Sequence, residues 1–251
     1  MMDPVVEQAP SFSDQADADT STDAYARRFA GPVGAWFLEV QRRIVLDLLS
    51  PWPGAALLDL GGGHAQVAGA LVEAGYRLTV AGSRETCRAR LDRTLPAGSF
   101  AYRTADLLDL PWPDRAFDVV LSLRFLSHVV HWERLLEEMC RVARHAVVLD
   151  YADRRSFNRI VGPLFAAKRR LERNTRRYHV FDRSTLVEAF ARQGFGAPVA
   201  RPEFFFPMVV HRSLGSAAFA RTVEGAFRAV GGTRLLGSPV ILRVQRLSAA
   251  R

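Results

Sequence analysis

Residues 57–71, LLDLGGGHAQVAGAL, set an acid and three glycines between an apolar run and a helix-like segment. Backbone without side chains lets a ligand approach closely, and the start of the following helix adds partial positive charge. Such a loop suits a nucleotide-like ligand. The dinucleotide fingerprint needs G-x-G-x-x-G, and Gly61 and Gly63 supply its first two glycines, but Gln66 stands at the third. The pattern is instead D-x-G-x-G-x-A, from Asp59 to Ala65. A second set of reactive types follows two later apolar runs: Arg124, His128, His131, Asp150 and Tyr151. His128 reads either as a general base or as a structural histidine hydrogen-bonded beneath a loop. Tyr151 reads as a substrate-stacking ring or as core. Asp150 reads as a cap for the next turn, and His64 as a helix-start residue. The sequence shows no metal-ligand spacing and no Ser/His/Asp arrangement.

The elements that must carry these groups alternate. Short apolar runs at 55–60, 77–82, 99–106, 117–123 and 145–151 are separated by helix-like stretches. Of these, RETCRARLDRTL is capped by Ser83, and ERLLEEMCRVA places Leu135, Leu136, Met139, Cys140 and Val142 on one face. Strands alternating with helices predict an α/β, doubly wound, mostly parallel sheet covered on both faces. EFFFPMVV (203–210) and SPVILRVQRL (238–247) read as two last strands, an antiparallel pair at one end. Before the sheet, DAYARRFAGPVGAWFLEVQRRIVLDLL reads as one or two helices broken at Gly31-Pro32. Residues 1–23, acidic and polar, read as a disordered tail.

The glycine loop, RTADLLDLPWPDRAFDVVLSL (103–123) and FLSHVVHWERLLEEMCRVARHAVVLD (125–150) occur in the order seen in a known family. In these three segments the chain resembles the class I, Rossmann-like methyltransferases that use S-adenosylmethionine, of the type 11 or small-molecule kind. The resemblance spans roughly residues 24–151 and implies seven strands with the last antiparallel, in a domain over 24–251. It implies that Asp59 orients the loop and the cofactor's amino group, and that Gly61, Gly62 and Gly63 admit its amino-acid moiety, with Ala65 in place of a last glycine. Asp106 and Leu107 match the adenine contacts, Leu123 the methionine side, and His128 the family's frequent histidine; Tyr151 is the second catalytic candidate. One position departs. Where the family usually holds both ribose hydroxyls with an acid, this chain has Gly82, followed by Ser83. Losing such a charge-assisted bond costs about 1.5–3 kcal/mol, and Ser83 offers one neutral bond instead. On this reading Gly82→Asp tightens cofactor binding.

Composition bounds the partners. The 251 residues carry 34 basic and 26 acidic side chains. Six acids precede Arg27 and no cation does, so the remainder is net +14, 34 against 20. No nucleic-acid module accompanies this charge, and nucleic acid is not expected as the partner. No run of 18 apolar residues suggests a membrane span, and Cys87 and Cys140 lack CxxC spacing, which fits a reducing cytoplasm. The 153–178 segment, with an apolar face from Phe157 to Phe165 and the basic run 168–177, reads either as a substrate lid with peripheral membrane contact or as an ordinary docked helix with a solvated charged flank. The expected activity is methyl transfer from S-adenosylmethionine to a small-molecule or lipid-like acceptor. The rivals are an inactive methyltransferase fold used for binding and an RNA methyltransferase.

Overall fold

The apolar runs become strands β1 (Ala56–Leu60), β2 (Arg77–Gly82), β3 (Phe100–Thr104), β4 (Phe117–Ser122) and β5 (Ala143–Tyr151). β6 (Phe195–Pro202) and β7 (Val240–Arg246) complete one sheet in the order β3-β2-β1-β4-β5-β7-β6. The computed structural model describes residues 15–156 and 178–247. β1 to β5 pair in parallel, and β7 runs antiparallel to both β5 and β6. Strands covered on both faces must be apolar throughout. β1 and β4 are buried almost along their whole length, while edge strand β3 is only half buried.

Side-chain alternation splits the sheet's core in two. Leu58, Leu60, Val120, Val147 and Leu149 face α6 (Trp132–Val142) and the helix Arg183–Arg192. Leu57, Val80, Val119, Leu121 and Val148 face α3 (Gly31–Leu49) and α4 (Ala68–Glu73). α3 starts with Pro32 in its first turn, where a missing N–H costs nothing. It buries Val33, Trp36, Phe37, Val40, Ile44 and Leu48, an i, i+3, i+4 stripe. The α6 face is the one its spacing predicts, with Glu138 buried beside it, paired with Arg141 and accepting the Leu110 N–H.

Three expectations change. EFFFPMVV is not a strand: β6 is FGAPVARP, and Met208–Leu214 is a helix begun at Pro207. Glu203 and Phe204 still exchange backbone bonds with Pro239 and Ser238, but the Phe205 and Phe206 N–H groups donate to the Glu224 carboxylate, and the ladder ends there. Ser83 does not cap a helix; a 3-10 turn over Glu85–Arg88 leads into α5 (Ala89–Thr94) with Arg84 at its start. The polar stretch before residue 24 does not all read as tail, because Ala16–Thr20 forms a short helix, α1, with Asp17 and Thr20 buried. A second short helix, α2 (Asp23–Ala26), leads into α3. The lid and its basic 168–177 run lie almost wholly outside the described residues. Among the described residues, no helix is long and apolar enough to cross a membrane.

Candidate active site

The strand order reverses between β1 and β4, and ligands in open α/β sheets bind beyond the carboxyl ends at such a point. Asp59 lies in β1, fully buried, and neither carboxylate oxygen has a hydrogen-bond partner among the described residues. Burial pushes its pKa up to about 7. An unpaired buried carboxylate is costly, so it marks a place made for a donor or cation. A Cβ at Gly62 would run into that carboxylate. Gly61 holds φ at 72°, and a Cβ there would stand 3.0 Å from the Phe125 ring. Ala65 takes the same left-handed region, φ 56°, a costly place for a side chain.

His64 locks the loop rather than starting a helix. Its Nε2–H donates to the Leu123 carbonyl at 3.0 Å and its Nδ1 accepts the Gln66 N–H at 3.2 Å, which fixes the neutral tautomer. Burial lowers its pKa to about 4. Leu123 thereby joins the glycine loop to the end of β4. At the far side, the Ala105 N–H donates to the Gly82 carbonyl at 3.0 Å, drawing Asp106 and buried Leu107 toward the tip of β2. Asp106 accepts the Leu108 N–H at 2.9 Å. Asp59, Gly61, Gly62, Gly63, Ala65, Gly82, Ser83, Asp106 and Leu107 thus gather along the ends of β1 to β3. The place of a side chain at Gly82 is filled by the Tyr102 hydroxyl, which donates to the Arg84 carbonyl at 2.5 Å, with Cys87 beside it. An aspartate there has no space, so the expected gain from Gly82→Asp is withdrawn.

A cavity of about 510 Å³ opens past β4 and β5, lined by Tyr25, Arg124, His128, Asp150, Tyr151 and Met208 among others. Arg124, with φ 58°, is its centre. Its guanidinium lies 3.1 Å from Glu203 and 3.5 Å from Asp150, and its N–H donates to Asp150 at 2.6 Å. Asp150 therefore holds Arg124 rather than capping a turn. Burial raises Asp150 and carries Glu203 to about 7, with Arg124 opposing both shifts. Tyr151 is buried, and its hydroxyl accepts from Arg183 Nε at 3.2 Å; burial pushes it up to about 12. His128 ends a 3-10 turn and faces the Tyr178 ring at 5.5 Å between centroids. His131 is exposed at the start of α6. Sequence reasoning missed Asp17, Tyr25 and Glu203. Only Glu203, an acid before three aromatics, carried a signal.

Residues 58–149 match the family described as "Methyltransferase domain". The O-methyltransferase cnsE of Penicillium expansum is 32% identical over 110 residues, 42% of this chain and 40% of that protein. The chain spans under half the length of the curated relatives it matches. Among solved structures, the magnesium protoporphyrin IX methyltransferase of Synechocystis with bound SAH superposes with TM-score 0.63 at 14% identity, covering 91% of this chain and 97% of that one. The [4+2]-cyclase SpnF superposes at 0.56 with 16% identity, over 83% of this chain and 80% of that one. At such identities the likeness is one of fold, a seven-stranded Rossmann-like sheet. With the D-x-G-x-G-x-A loop at the end of β1 and the domain match across β1 to β5, residues 58–149 form a methyltransferase domain on a class I, Rossmann-like fold.

Proposed function

We propose that this chain is a methyltransferase that uses S-adenosylmethionine to methylate a small acceptor seated in the cavity beyond β4 and β5. The observation that carries this is Asp59, a buried carboxylate without a hydrogen-bond partner among the described residues, beneath a cradle of glycines. That donor set fits the cofactor's ammonium and amino-acid backbone. Asp59 and Gly61–Gly63 hold that end, Asp106 and Leu107 the adenine, and Leu123 the methionine side. When bound, the cofactor supplies an activated methyl group, so the chain's own part is mainly orientation and exclusion of water.

The acceptor's character follows from the cavity. Arg28 and Arg212 line it beside Tyr25 and Met208, and neither pairs with a carboxylate among the described residues. They sit close enough that Arg28 helps burial depress Arg212. An aromatic or lipid-like acceptor bearing an acidic group suits this wall. His128, on the wall of that cavity, is the proposed acceptor of the substrate's proton where one must leave. General bases of this kind contribute about 10²–10⁴-fold. His128→Ala should therefore lower turnover in that range and leave S-adenosylhomocysteine affinity unchanged.

Calorimetry with S-adenosylmethionine and S-adenosylhomocysteine, followed by labelled-methyl transfer to a panel of aromatic and fatty acids and their neutral esters, tests the reading. Binding of both and labelling of acids over esters support it. No binding of either at millimolar concentration sinks it. A second reading, a binding role without transfer, rests on the missing acid at Gly82; tight cofactor binding with no labelled product across the panel would favour it.

A further inference from the structure

The face of the glycine cradle is covered by the chain's own N-terminal segment. Asp17, on α1, is fully buried, and its carboxylate accepts the Ser83 N–H at 2.8 Å and the Ser83 Oγ–H at 2.5 Å. These are the donors nearest the position where the ribose acid is missing. The Asp17 Cβ lies 3.4 Å from where a Cβ at Gly61 would stand, and Ser21 fills the corresponding place at Gly63 together with the Cys87 carbonyl. Ser21 is also in hydrogen-bond contact with the Cys87 side chain. Gln15 accepts from Arg84 Nε at 2.6 Å, extending the seam past the tip of β2. α1 thus runs from the ribose end of the cradle to its amino-acid end, along the surface a ligand must occupy.

We infer that α1 is an internal competitor for the cofactor site, latched by Asp17 on Ser83, and that the site opens only when residues 15–21 swing away. This rests on the cofactor reading above. The contacts divide the segment into a releasable part and an anchor. Asp17 and Ser21 hold the cradle, whereas Asp23, on α2, pairs at the surface with Arg93 at 2.6 Å and Arg90 at 3.4 Å. The pivot lies between them, at Ser21–Thr22. A ligand that binds only the open form has its apparent affinity reduced by the open fraction. If the latch is shut nine-tenths of the time, freeing it tightens binding by about tenfold.

Three measurements on the full chain test this, with S-adenosylhomocysteine as probe. Asp17→Ala should bind it about tenfold more tightly than wild type in calorimetry. Ser21→Cys places a thiol against Cys87, and after oxidation it should lose binding that a reductant restores. In wild type, saturating S-adenosylhomocysteine should speed amide exchange over residues 15–22 while slowing it over 61–65. Weaker binding by Asp17→Ala overturns the proposal and makes Asp17 a cofactor ligand. Undiminished binding by the oxidised Ser21→Cys chain, or added protection over 15–22, overturns it equally. These results leave the cofactor reading intact, because wild type still binds. Failure of wild type and of every reduced variant to bind removes the cofactor reading and the competitor with it.

Discussion

Asp59 and Gly61 are where single atoms decide most. A carboxyl raised from 3.8 to about 7 in the folded chain binds its proton more tightly there than when unfolded. Its stabilising contribution is full below the unfolded value and is lost as pH climbs to 7, on the order of 4 kcal/mol in all. Glu203, raised from 4.5 to about 7, pulls the same way. Asp59→Asn should therefore flatten the fall in melting temperature between pH 4 and 8, measured by calorimetric scans; an unchanged slope would refute the buried charge. On the proposed contact with Asp59, the cofactor's ammonium would favour the ionised carboxylate, so wild-type affinity for S-adenosylhomocysteine should rise from pH 6 to 8 and that of Asp59→Asn should not. Gly61→Val should abolish binding in calorimetry, since a branched residue resists φ near 72° and its Cβ would press on the Phe125 ring.

At the level of elements, the turn after β4 matters more than its length suggests. It carries Leu123, which fastens the glycine loop through His64, and Arg124, which joins β5 at Asp150 to the end of β6 at Glu203. Removing one partner of a buried ionic group leaves charge without compensation and costs about 3–5 kcal/mol. Arg124→Ala should lose that much in urea unfolding, and pairing it with Glu203→Gln should restore part of the loss. A change under 1 kcal/mol would show that water reaches the two carboxylates.

For the whole molecule, ligand binding and charge give separate expectations. S-adenosylhomocysteine at a hundred times its dissociation constant should stabilise the fold by about 2.7 kcal/mol, read as a rise in melting temperature that grows with concentration. Of the body's net +14, seven cations and one acid lie in 157–177, outside the described residues, and cations elsewhere are neutralised in ion pairs such as Arg141–Glu138 and Arg88–Asp92. Filter binding with mixed transfer RNA should show no retention at physiological salt. Retention that collapses with added salt would instead support an RNA acceptor.

The sequence by itself determined six of the seven strands and the place of the glycine loop. Five parallel strands were legible because strands buried on both faces must be apolar, and the loop because only glycines admit so close an approach. α6 was legible because its apolar stripe is local, repeating every three to four residues. What depended on distant partners was not legible. Phe205 and Phe206 look like part of a strand, yet their N–H groups are claimed by Glu224, about twenty residues on. Ser83 looks like a helix cap, yet its donors go to Asp17, 66 positions earlier. Gly82 looks like a vacant ribose anchor until Tyr102, on the neighbouring strand, is seen to fill its space. Local periodicity is written in a few consecutive residues. The choice of which buried donor meets which acceptor is settled only when the sheet brings remote segments together and burial makes every unpaired group costly.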